Sequence, residues 1–283
     1  MQNHRREFLA SSAALLAAHS GLPFAWAEAP TAKTKNPFLS GNYAPMREEH
    51  TVPQLKVTGI VPKALRGMYV RNGPNPQFDP MGNYHWFDGD GMLHGVELSD
   101  GRASYRNRYI HTAGYETEKK AGKATYGGIL DKPDFAKLIA GEVPYKNAAN
   151  TALVWHAGKL LALWEAGEPH EIRTPSLDTV GLYRFGGKLK HAFTAHPKLD
   201  PATGEMLAFG YSPASSSVGF SIVNAKGELI QSRNVKMPRA AMMHDFAITK
   251  NYAIFPVAPQ LFDMQRLAKG GSPWYFDRKL PMQ

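Results

Sequence analysis

Cysteine is absent from this sequence. That excludes disulfides, iron–sulfur clusters and thiolate zinc sites, so any bound metal must be held by His, Asp or Glu. Long hydrophobic runs are missing too: the most apolar stretch, residues 8–18, is too short to span a bilayer. Lys and Arg exceed Asp and Glu by a formal +9, yet they are scattered and form no block resembling a nucleic-acid-binding arm. The charge reads as a solvated basic surface, compatible with peripheral contact to an anionic membrane. Helical periodicity is scarce, and no P-loop, dinucleotide-binding glycine fingerprint, Gly-x-Ser-x-Gly or His-Glu-x-x-His occurs. Asp88-Gly89-Asp90-Gly91 lacks the spaced ligands of a calcium loop and reads as a turn.

What is present is ordered along the chain. Residues 1–27 read as an export signal: Arg5 and Arg6 precede Glu7, Phe8 and Leu9 in the twin-arginine manner, an Ala- and Leu-rich stretch follows, and Ala25-Trp26-Ala27 supplies a cleavage site. Twin-arginine export carries folded, often cofactor-loaded proteins, so a periplasmic location and a bound cofactor are expected. Residues 28–40 read as a flexible lead-in, and residues 41–283 as the folded domain.

From about residue 55 onward the apolar pattern has period two far more often than 3.6, as in strands. Strands are expected at residues 55–61 and 67–71. Hairpins are expected around Asp100-Gly101, around Ala157-Gly158 and between residues 220–223 and 229–235, with a further turn at Gly186-Gly187. One helix is expected, at residues 134–140 between Pro133 and Gly141. Repeated antiparallel hairpins predict an all-β sandwich, barrel or propeller.

With eleven histidines, an imidazole site is possible. Two stand where a strand meets a turn: His196, in Thr194-Ala195-His196-Pro197-Lys198-Leu199-Asp200-Pro201, and His244, in Met243-His244-Asp245-Phe246-Ala247-Ile248. Taken singly, each would more often be a structural histidine than a ligand.

These two segments resemble the first two iron-ligand regions of the carotenoid oxygenase family, whose members cleave carotenoids, apocarotenoids and lignostilbenes. The resemblance extends from about Asn42 to the last residue. It includes Gly67-Met68-Tyr69-Val70-Arg71-Asn72-Gly73-Pro74-Asn75-Pro76, His85-Trp86-Phe87-Asp88-Gly89-Asp90-Gly91-Met92, Tyr105-Arg106-Asn107-Arg108, Asn150-Thr151-Ala152 and Leu161-Ala162-Leu163-Trp164-Glu165.

The family implies a seven-bladed β-propeller, here about its first half, with Fe(2+) on the axis held by four histidines from different blades. His196 and His244 match the first two ligands, and Glu165 matches a carboxylate that hydrogen-bonds a ligand imidazole; no other catalytic residue carries over. The implied reaction is dioxygen-dependent cleavage of a conjugated C=C bond in an apolar polyene or stilbene, giving two carbonyl products. Lignostilbene-type members hold a phenol with a Tyr and a Lys, for which Tyr105 and Lys137 are the candidates here. His85, His94, His111, His156, His170 and His191 are expected to be structural or surface residues. No histidine follows His244, so the third and fourth ligands are not expected within this chain, which reads as an inactive fragment of a longer enzyme. The alternative is a non-catalytic propeller piece that binds a hydrophobic ligand.

Overall fold

The computed structural model describes residues 36–131, 145–213, 215–263, 265, 266, 269 and 271–283. It separates into two units, one ending at Ala44 and the other spanning Pro45–Gln283. The described part of the first holds two single 3-10 turns, Pro37–Leu39 and Gly41–Tyr43; the Asn36 side chain caps the former by accepting from the Phe38 N–H at 2.9 Å. The leader expected at 1–27 and the helix expected at 134–140 lie outside the described residues.

The second unit is a series of antiparallel sheets. The first joins β1 (Thr51–Val52), β2 (Gly67–Pro74), β3 (Gly91–Ser99) and β4 (Arg102–Tyr109) in the order β1-β4-β3-β2. A helix, α1 (Ala113–Ala121), follows, started by the Thr112 hydroxyl and stopped by Gly122 in the left-handed region. The second sheet is the meander β5 (Ala152–His156), β6 (Lys159–Leu163), β7 (His170–Ile172) and β8 (Thr179–Leu182). The third is the meander β9 (Lys198–Leu199), β10 (Met206–Tyr211), β11 (Ser217–Val223) and β12 (Leu229–Lys236). Two-stranded pairs complete the series: β13 (Ala247–Ile248) with β14 (Ala253–Ile254), and β15 (Gln260–Phe262) with β16 (Trp274–Phe276). No described helix is long and apolar enough to cross a membrane.

Turn chemistry sets the registers. Asp100 and Gly101 both have positive φ, as do Ala157 and Gly158, which gives each two-residue hairpin the twist its flanking strands require. The expected strand at 55–61 does not form. Leu55 donates to the Ala103 carbonyl at 2.7 Å, and the chain then leaves the sheet. Gly59 takes a positive φ and Ile60 is 94% exposed, because no second apolar surface covers this edge. The short β1 supplies the outer strand instead.

The core lies between successive sheets. Leu160 and Ala162 on β6 face the first sheet, packing with Leu93, Ile110 and Ile172. Leu161 and Leu163, on the opposite side of β6, pack with Phe193, Met206 and Ala208 toward the third sheet. β10 repeats the device: Met206 and Ala208 face backward, while Phe209 faces forward to Met243, Phe246 and Phe255. Burial on both faces explains why residues 160–163 of β6 and 206–210 of β10 are apolar without alternation. Four-stranded sheets stacked face to face in chain order are the blades of a β-propeller.

Truncation on such a strand is costly. Leu163→Ala is expected to destabilise by about 2–5 kcal/mol, whereas Leu199→Ala, at an exposed edge, shifts stability by about 0.5 kcal/mol or less. Urea unfolding of both checks this; equal effects would contradict two-sided burial.

His170, on β7, is buried, and its Nδ1 has no hydrogen-bond partner among the described residues. Burial pushes its pKa down to about 4, against an opposing pull from Glu168. The unfolded chain takes up this proton near pH ~6.5, so between there and the folded value only the unfolded state is protonated. Stability is therefore fully present above that pH and declines by about 3 kcal/mol as it falls toward about 4. The expected signature is that much extra acid sensitivity in wild type relative to His170→Gln; parallel pH profiles would remove the assignment.

Candidate metal centre

Three consecutive sheets deliver one side chain each to a common point. Glu165 lies two residues past the end of β6, His196 two residues before β9, and His244 three residues before β13. The segment leading to His196 is fixed from both sides. Phe193 and Ala195 are anchored in the core between the second and third sheets. Between them, the Thr194 N–H donates to the Phe209 carbonyl at 2.6 Å, and the Thr194 hydroxyl accepts from the His196 N–H at 3.0 Å. This alternation turns His196 away from the core. Gly210 makes the approach possible: a Cβ there would stand 1.7 Å from the Ala192 carbonyl oxygen. His244 is placed in the same way, since Met243 and Phe246 are buried against Phe209 and leave the imidazole on the open side.

The two imidazoles face each other edge to face. Their centroids are 4.7 Å apart, their planes are inclined at 74°, and Nε2 of His196 lies 3.2 Å from Nε2 of His244. Nδ1 of His244 hydrogen-bonds Oε2 of Glu165. A carboxylate only accepts, so Nδ1 carries the hydrogen, and in the neutral ring Nε2 is left with its lone pair toward His196. The Tyr211 hydroxyl donates to the other carboxylate oxygen, Oε1, at 2.7 Å. Burial, reinforced by the Glu165 charge, raises the Tyr211 pKa, so this phenol stays protonated as a donor.

A second clamp crosses beside the first: Lys198 Nζ lies 2.7 Å from Oδ1 of Asp245, tying the residue after His244 to the start of β9. Partial burial alone would raise the Asp245 carboxyl, but hydrogen bonds from Lys198 and the Phe246 N–H hold it below its usual range. Burial, aided by the neighbouring His244, lowers the His196 pKa and keeps this ring neutral near pH ~7.

This donor set suits a first-row divalent metal. Two nitrogens each about 2.1 Å from one ion and about a right angle apart are themselves about 3.0 Å apart, close to the 3.2 Å found here. Among the described residues no group of three or more His, Asp or Glu is arranged to hold an ion, so the centre offers two imidazole donors and their supports.

Five further histidines of the folded unit have partners elsewhere. His85 caps the 3-10 turn Trp86–Asp88, His94 bonds the Tyr105 hydroxyl, and His111 pairs with Glu116. His156 bonds the Gly204 carbonyl, and His191 bonds Ser221. Tyr105 is thus engaged within the first sheet, and Lys137 lies outside the described residues. Sequence reasoning found Glu165, His196 and His244 but assigned no role to Tyr211 or to the Lys198–Asp245 pair. Their only sequence signal was proximity to the motif histidines, and for Tyr211 not even that.

Comparison with known proteins settles the lineage. Residues 43–283 match the sequence profile described as retinal pigment epithelial membrane protein. The chain belongs to this family, the carotenoid oxygenases. It is 43% identical over 249 residues to carotenoid 9,10(9',10')-cleavage dioxygenase 1 of Arabidopsis thaliana, covering 82% of this chain and 46% of the relative. It is 39% identical over 251 residues to resveratrol cleavage oxygenase 1 of Aspergillus fumigatus, covering 87% and 50%. The crystal structure of Pseudomonas brassicacearum lignostilbene dioxygenase superposes with a TM-score of 0.77 at 34% identity, covering 88% of this chain and 52% of that one. The chain spans about half the length of the curated relatives it matches. The stacked sheets are thus blades of the carotenoid oxygenase propeller.

Because Gly210 admits the segment that carries His196, Gly210→Ala is expected to push that segment outward and destabilise the fold by about 1–3 kcal/mol. Urea unfolding reads this directly; a midpoint equal to wild type would show that the close approach is not needed.

Proposed function

We propose that His196 and His244 supply two of the imidazole ligands of a ferrous ion in a dioxygenase that cleaves a conjugated C=C bond. The observation that carries this reading is the 3.2 Å separation of two Nε2 atoms whose rings come from different blades. Iron held there supplies dioxygen activation beside an electron-rich alkene, each alkene carbon becoming a carbonyl carbon with one oxygen atom. The chain's own residues do the preparatory work. His196 is kept neutral by burial and His244 is held in the Nδ1–H tautomer by Glu165, so the His244 Nε2 lone pair is ready for an ion, and the neutral His196 ring has only to shift its hydrogen off Nε2 to offer the second. Neutral ligands leave the ion its full charge, unlike a site that includes a carboxylate.

For substrate we propose a carotenoid, apocarotenoid or stilbene, the classes to which the relatives' names point. An open cleft of about 460 Å³ has mixed walls, with Tyr126, Tyr145, Trp164 and Leu182 beside Lys146, Glu168 and Lys190, and none of Glu165, His196 or His244 lines it. We place the protein in the periplasm on the strength of Arg5, Arg6 and the Ala25-Trp26-Ala27 site, with peripheral membrane contact consistent with its basic surface. A non-catalytic piece that binds a hydrophobic ligand is the competing reading, favoured by the count of only two converging imidazoles among the described residues.

Anaerobic Fe(2+) titration against a chelating dye separates them. His196→Ala and His244→Ala are each expected to weaken binding by at least the ~10–100-fold that loss of an outer partner costs, while His50→Ala, at an exposed position, leaves it unchanged. Side-by-side incubation of the iron-loaded, full-length gene product with a polyene and a hydroxystilbene should give paired carbonyl products from one of them. Ligand binding that is indifferent to both histidine variants and to iron supports the competing reading.

A further inference from the structure

The Tyr211 hydroxyl stands at a junction that the two-histidine reading does not by itself require. Tyr211 is the last residue of β10, with its ring among the partly buried groups packed against Phe209 and Met243. Its oxygen donates to Oε1 of Glu165 at 2.7 Å, while the other carboxylate oxygen meets Nδ1 of His244. One phenol therefore grips the carboxylate that orients His244. We infer that Tyr211 is a positioning residue for the metal centre: its O–H fixes the rotation of the Glu165 carboxylate so that Oε2 meets Nδ1 of His244 and Nε2 points at Nε2 of His196. The inference rests on the reading of His196 and His244 as ligands of one ion.

A carboxylate held by one hydrogen bond can swing about its terminal torsion, which is broad and soft. Donors on both oxygens remove that freedom, and a charge-assisted O–H···O bond is among the stronger neutral-donor contacts. A phenylalanine at 211 would fill the same space without the donor, leaving Oε1 unsatisfied in a half-buried setting and the imidazole free to turn. A purely structural tyrosine would act through its ring packing alone, and its removal would affect stability whether or not Glu165 were present.

The test is a double-mutant cycle on the full chain, Tyr211→Phe with Glu165→Ala, read by Fe(2+) affinity in anaerobic chelator competition and by long-range ¹⁵N–¹H spectra of the metal-free histidines. Tyr211→Phe is expected to weaken Fe(2+) binding about tenfold with Glu165 present and by less than about twofold in the Glu165→Ala background. In the spectra, wild-type His244 should sit in the Nδ1–H tautomer, and Tyr211→Phe should populate the Nε2–H form. Equal losses in both backgrounds, or no loss with Glu165 present, overturn the inference. If His244→Ala leaves Fe(2+) affinity untouched, the shared-ion reading fails, and the tautomer spectra alone then decide Tyr211: an unchanged Nδ1–H signal rejects it, and a shift to Nε2–H supports it.

Discussion

Everything in this chain depends on the two-sided burial of its middle strands. Because β6 and β10 present apolar side chains to both neighbouring sheets, each sheet can stack only in one rotation against the next. A slip of one residue would exchange Leu160 and Ala162 with Leu161 and Leu163 and mismatch the side-chain volumes in both cores. With the stacking fixed, the points where the chain leaves β6 and enters β9 and β13 are fixed as well. Glu165, His196 and His244 occupy those points, so the centre inherits its geometry from packing rather than from local loop preferences.

The polar supports then refine what packing has set. A half-buried carboxylate needs partners on both oxygens to offset its lost hydration, and Glu165 finds them in Tyr211 and His244. The same bonds choose the imidazole tautomer. The Lys198–Asp245 pair, partly exposed on both sides, contributes little stability by itself. Its value lies in joining β9 to the residue after His244, which couples the two histidine-bearing segments without adding a charge at the Nε2 atoms.

The hairpins were legible in the sequence because two-residue turns announce themselves: Asp100-Gly101 and Ala157-Gly158 take the positive φ values such turns require. The three principal site residues were legible only through resemblance, since one histidine beside a strand carries no signal of its partner in another sheet. The failed strand at 55–61 shows where periodicity misleads. An apolar alternation needs a surface to cover it, and sequence pattern cannot say that the edge of β4 is already taken by the short β1. Tyr211 was illegible for a related reason: its hydroxyl acts on Glu165, 46 positions earlier, and nothing local marks a tyrosine at a strand end as different from its neighbours.

The central claim is that one ion lies between Nε2 of His196 and Nε2 of His244. Anomalous diffraction at the iron edge, from crystals grown anaerobically with Fe(2+), tests it most directly. The expected result is a single peak about 2.1 Å from both nitrogens. A peak beside only one of the rings, or none near either while iron is found elsewhere on the protein, would contradict the claim.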